Sequence, residues 1–138
     1  MELLDRAQDD VVIFEISGEV DIYNCGQIKN LFLDKLNSGS KKFLINLDKI
    51  SYIDSSGIGV LIFIKTSVTK HKGELVLVNI KDSVKKIFDL TKLASYFTVR
   101  EDLPAGVKYF KQKWNKKLII KEITMKREKK YGFAVILF

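Results

Sequence analysis

Residues 41–65 read KKFLINLDKISYIDSSGIGVLIFIK, and the fold turns on how that stretch divides. Residues 42–47, KFLINL, form a short apolar run that reads as a strand buried on at least one face. Asp54, Ser55 and Ser56 then bring the residue types that cap a helix N-terminus. The segment that follows carries no proline as far as Lys70, and residues 58–64 are apolar on almost every side of a helical wheel. Gly73 supplies a C-terminal stop. The stretch is strand, turn, helix.

The same alternation extends in both directions. Residues 11–16, VVIFEI, read as a strand closed by Ser17-Gly18, and residues 19–21 as a short extended piece leading to Asn24, a helix cap. Over residues 24–37, Ile28, Leu31, Phe32 and Leu36 recur at helical spacing. Residues 74–79, ELVLVN, are a third main strand. Asp82 caps a short helix with the stripe Val84, Ile87, Phe88 and Thr91, and residues 96–99 make a last short strand. Strands alternating with helices through short polar turns imply an α/β domain with a largely parallel sheet.

Composition narrows the class. The chain has 138 residues, 46% hydrophobic and 30% charged, enough for one domain with a real core and too apolar for wholesale disorder. One cysteine, Cys25, excludes an internal disulfide framework, and one histidine, His71, leaves no His/Cys metal set. The start, Met1-Glu2-Leu3-Leu4-Asp5, is acidic where a signal peptide is basic. The longest apolar run is far short of the roughly 18 to 20 residues of a membrane span. These features predict a soluble protein of a reducing compartment, the cytoplasm. There is no Walker loop, no dinucleotide fingerprint and no Ser-His-Asp set, so no catalytic residue, metal or cofactor is expected.

Charge is distributed unevenly. Up to residue 107 there are 14 Lys and Arg against 15 Asp and Glu, a net of −1; from residue 108 there are 10 against 2, a net of +8. Pro104 marks the change, which predicts a domain over residues 1–103 and a basic extension over 104–138. In the extension Val107, Phe110, Trp114 and Leu118 recur at helical spacing. Ile119, Ile123 and Met125 then alternate with polar residues, 127–132 resemble a turn and 133–138, FAVILF, a strand, so a helix followed by a hairpin is expected. Trp114, Tyr109 and Phe110 among lysines suit either a nucleic-acid surface or packing against the domain, and the apolar-ended tail could also touch a membrane surface.

The one local constellation with chemical meaning is Asp54-Ser55-Ser56-Gly57. A helix start offers unpaired N–H groups and a partial positive charge, which suit a phosphate on a serine hydroxyl placed there. Gly57 removes a side chain that would obstruct a protein docking closely. The plain alternative is that Asp54 or Ser55 only caps the helix.

Three segments occur in order: GEVD at residues 18–21, NLDKISYIDSSGIGVLI at 46–62, and VKKIFDLTKL at 84–93. Together they resemble the STAS domain, and more closely the stand-alone anti-sigma factor antagonists, over about residues 8–103. The resemblance implies a small, mostly parallel sheet with helices mainly on one side. It implies that Ser55 is phosphorylated by an ATP-binding anti-sigma factor and dephosphorylated by a metal-dependent serine phosphatase. It places Asp21, Asp54, Ser56, Gly57 and Ile58 on the switch surface, with Asp21 tuning the switch rather than the fold. The rival expectation is an accessory subunit of a membrane lipid-transport complex.

Overall fold

The computed structural model describes residues 1–131, with side chains through residue 127. The elements are β1 (Glu2–Gln8), β2 (Val11–Val20), α1 (Cys25–Asn37), β3 (Lys42–Ile53), α2 (Ser55–Lys70), β4 (Glu74–Val78), α3 (Asp82–Thr91), β5 (Thr98–Arg100) and α4 (Leu103–Tyr131), with a 3₁₀ turn at Leu93–Ser95. The chain divides into two compact units, residues 1–107 and 108–138.

In the first unit the five strands lie in chain order, β1 antiparallel to β2 and the other neighbours parallel. A parallel sheet built in one direction by right-handed crossovers keeps every crossover helix on the same face. Accordingly α1, α2 and α3 share one core with one face of the sheet: Phe14, Phe43, Ile45 and Leu77 pack with Phe32, Leu61, Ile64 and Phe88. Phe32 of α1 meets Phe43 of β3 edge-on, with ring centroids 5.0 Å apart. This is the layered arrangement expected from the alternation.

The opposite face is not bare. Val11, Ile13, Leu44, Val76 and Val78 are buried there, so the central strands read as continuous apolar runs. The first turn of α4 lies on it. A methyl built on Gly106 would stand 2.6 Å from Leu44 Cδ1 and 2.9 Å from Val78 Cγ1, and Val107 beside it is buried. The first unit therefore runs to Val107, four residues past the expected boundary.

Several local expectations change. β1 was not foreseen; it closes a hairpin through the two-residue loop Asp9-Asp10, with Asp9 at φ 56°, a left-handed conformation that Asp tolerates. β3 continues six residues beyond Leu47, because Ile50 and Ile53 stay buried while the ladder to β2 passes two irregularities. Asn24 precedes α1 without a side-chain cap bond, and Asp82 is the first residue of α3 rather than its cap. β5 starts two residues later than expected.

In the second unit α4 continues as one helix through Tyr131, in place of the turn and first hairpin strand expected over 119–131. Residues 107–131 contain no Gly or Pro and carry nine lysines, and lysine is a good helix former. Ile119 and Ile123 are also four apart, so their spacing fits a helix as readily as a strand. The strand expected at 133–138 lies outside the described residues. Within this unit Lys117 Nζ sits 4.4 Å from the Trp114 ring centroid. Among the described residues no helix is long and apolar enough to cross a membrane.

Candidate functional site

β2 and β3 end side by side at the carboxyl edge of the sheet. Val20 pairs with Ile53, and the Asp54 amide donates to the Val20 carbonyl at 3.1 Å. That bond places the turn after β2, carrying Asp21, beside the turn after β3, carrying Asp54 and Ser55.

Asp54 is the extended N-cap of α2. Its Oδ1 accepts from the Ser56 amide at 2.9 Å and the Gly57 amide at 3.1 Å, and its carbonyl accepts from the Ile58 amide at 3.1 Å. The capping role is therefore real, and it alters the chemistry at Ser55. Two donors expected to cradle a phosphate already serve Asp54, so an anion on Ser55 meets the helix dipole beside the Asp54 side chain. Ser55, at the first helical position, is exposed; Ser56 is half-buried. Ser55 is therefore the more accessible of the two serines.

Gly57 has a packing role within the fold. It is buried, and a methyl there would stand 2.6 Å from Ile53 Cγ1 and 2.8 Å from Val20 Cγ1. Its smallness lets the first turn of α2 lie directly on the ends of β2 and β3. Ile58 is also buried, with its outer edge lining a groove.

Asp21 is committed to its own turn. Its Oδ1 accepts from the amides of Tyr23 (2.9 Å) and Asn24 (3.1 Å), and its carbonyl accepts from the Cys25 amide at 2.9 Å. Asn24 returns the favour: its Oδ1 accepts from the Asp21 amide at 2.9 Å and its Nδ2 donates to the Glu19 carbonyl at 2.9 Å. Asp21 thus stands at the site, but as the residue that shapes the β2–α1 turn.

Sequence reasoning missed the groove beside Ser55. It is open, about 550 Å³, and lined by Tyr52, Ser55, Ile58, Gly59, Ile62 and Ile87 among others. Its far wall is α3, tied to β3 by the Lys81–Asp48 ion pair and by Ser83 Oγ donating to the Ser51 carbonyl at 3.2 Å. The ion pair raises the Lys81 pKa above its ordinary value, chiefly through its hydrogen bond to Asp48. The available signal was Tyr52, a large aromatic two residues before a helix cap, which the fold leaves half-exposed. His71 lies elsewhere, with Nδ1 2.9 Å from the Ser67 carbonyl, and Cys25 is the buried first residue of α1, just after the Asp21 turn. No cluster of metal-ligating side chains occurs among the described residues.

The sequence profile of the STAS domain matches residues 3–105. The chain belongs to the STAS domain family. Among curated relatives it is similar to the anti-sigma-B factor antagonist of Staphylococcus aureus, 24% identical over 94 residues that cover 68% of this chain and 87% of that one. Protein TM1081 of Thermotoga maritima superposes with a TM-score of 0.74 at 27% identity, covering 78% of this chain and 92% of that one. SpoIIAA of Bacillus has the same fold in two forms. The unphosphorylated form gives a TM-score of 0.65 at 17% identity (80% and 98% covered), and the phosphorylated form 0.60 at 20% (72% and 91%). Within a STAS fold the DSSG turn and its groove sit where the carboxyl ends of β2 and β3 open to solvent.

Proposed function

We propose that this protein is an anti-sigma factor antagonist, a regulatory binding module rather than a catalyst. In the unphosphorylated state it holds an ATP-binding anti-sigma kinase, which frees a sigma factor; phosphorylation of Ser55 by that kinase releases it, and a metal-dependent serine phosphatase resets it. The observation that carries this function is the exposed Ser55 hydroxyl at a capped helix start, on the rim of an apolar groove. The names of the relatives support it, and SpoIIAA, which shares the fold, exists with and without phosphate. A transport-complex subunit is not favoured, since the relatives matched over most of their length are named as antagonists.

The physical basis of release is charge. Phosphate adds about −1.5 to −2 at neutral pH beside the Asp54 carboxylate. The helix dipole tolerates it at an exposed position, where such an interaction contributes roughly 0.3 to 1 kcal/mol. A protein seated in the groove must instead desolvate that charge without a matching cation, which costs several kcal/mol. Titration of the anti-sigma kinase from the same genome with two variants tests this. Ser55→Ala binds like the unphosphorylated chain, and Ser55→Asp binds far more weakly while remaining folded. Equal affinities refute the switch.

A further inference from the structure

Two large apolar side chains stand out at the tip of the turn after β2. Ile22 is 66% exposed and Tyr23 93% exposed, although the turn that carries them is held by four side-chain hydrogen bonds. Asp21 Oδ1 holds the amides of Tyr23 and Asn24, Asn24 Oδ1 holds the amide of Asp21, and Asn24 Nδ2 holds the carbonyl of Glu19. Next to the turn, the Val20 carbonyl takes the amide of Asp54, the residue preceding Ser55.

This combination is not needed for the fold. A side chain almost wholly in solvent contributes no burial, and a turn of four residues is satisfied as well by polar types at its second and third positions. An aromatic side chain on a preorganised turn is, however, well suited to binding: it brings a large contact area while little backbone freedom remains to be lost on docking. We infer that Ile22 and Tyr23 are an anchor for the same protein partner that docks over Ser55, with Tyr23 entering an apolar pocket of that partner. Asp21 and Asn24 are the positioning residues that aim it. The partner then grips the carboxyl edge of the sheet at two points, the groove beside Ser55 and the Tyr23 knob. The groove contact is subject to the phosphate, whereas the knob selects which partner binds.

The inference rests on the proposed antagonist function, and its test separates the two. The full chain, Tyr23→Ala, Tyr23→Phe and Asp21→Ala are titrated against the purified anti-sigma kinase of the same genome, and Ser55 phosphorylation is followed to obtain KM and kcat. Tyr23→Ala is expected to weaken binding at least tenfold and raise KM alike, with kcat within twofold and the melting temperature unchanged. Tyr23→Phe keeps most of the affinity, because the ring is the anchor. Asp21→Ala raises KM even where the chain remains folded. If the unaltered chain is bound and phosphorylated on Ser55 while Tyr23→Ala behaves identically, the anchor is refuted and the antagonist function stands. If the unaltered chain is neither bound nor phosphorylated, the function fails and the anchor with it. A lowered melting temperature for Tyr23→Ala would assign the side chain to the fold and likewise overturn the anchor.

Discussion

Gly57 and Gly59 lie two residues apart in α2 and permit a controlled measurement of what holds the site in place. A methyl at Gly57 meets Ile53 Cγ1 at 2.6 Å, Val20 Cγ1 at 2.8 Å and Ile53 Cδ1 at 3.0 Å, whereas a methyl at Gly59 meets nothing within 4 Å. In a helix, Gly→Ala by itself gains roughly 0.8 to 1 kcal/mol. That gain stands alone at Gly59, so Gly59→Ala should stabilise the protein by up to that amount. At Gly57 it is opposed by overpacking against two β-branched side chains at the strand ends, an effect of about 1 to 3 kcal/mol. The difference between the two variants largely cancels the helix term and isolates the packing term, at about 1 to 3 kcal/mol in favour of Gly59→Ala. Urea unfolding of both variants, compared at equal m-values, gives the number directly. If the two variants are equally stable, the first turn of α2 does not rest on Val20 and Ile53 as described, and the position of Ser55 needs another cause.

Asp54→Ala should cost about 1 to 2 kcal/mol, because the amides of Ser56 and Gly57 lose their acceptor, while Asp54→Asn, whose side-chain oxygen can still accept, should lose less; thermal melts distinguish them. A chain shortened to residues 1–107 should melt cooperatively. One shortened to 1–103 should be less stable by roughly 1.5 to 3 kcal/mol, since it loses the buried Val107 and the Gly106 turn over Leu44 and Val78; equal melting of the two would contradict that packing. Lys42 holds the Asp10 pKa below its ordinary 3.8, chiefly through a hydrogen bond. The lowered value means a stabilising contribution that is present above pH 3.8 and is lost as the pH falls through the lower folded value. Asp10→Asn should therefore flatten the acid limb of the stability–pH curve, and only slightly, because the carboxylate is largely exposed.

How far the structure was legible depended on whether a segment buries apolar surface. β2, β4 and α1 announce themselves because their apolar residues keep a strict period or run unbroken. β1 does not: apart from Leu3 its residues are exposed, as befits an edge strand, and its only cue is the two-residue turn Asp9-Asp10. The far half of β3 was hidden because the irregular ladder to β2 breaks the alternation at Asp48 and Lys49. At the site, Asp54 as a cap and Ser55 beside it were readable from residue types and order. The true reason for Gly57, and the engagement of Asp21 in its own turn, depend on two strand ends meeting across more than thirty residues of chain, which no local pattern encodes. The groove is likewise a product of α2 and α3 lying side by side. Residues 119–131 are helical where a turn and strand were expected, because Ile119 and Ile123 satisfy two periods at once.

The central claim is that Ser55 carries the phosphate that ends partner binding. The most direct measurement is incubation of the full chain with the anti-sigma kinase of the same genome and Mg-ATP, with the phosphate located by mass spectrometry and the affinity titrated before and after. The account predicts one phosphate, on Ser55, and binding weakened about 100-fold or more, equivalent to about 2.7 kcal/mol. Phosphate on Ser56, or unchanged affinity of the Ser55-phosphorylated chain, would contradict it.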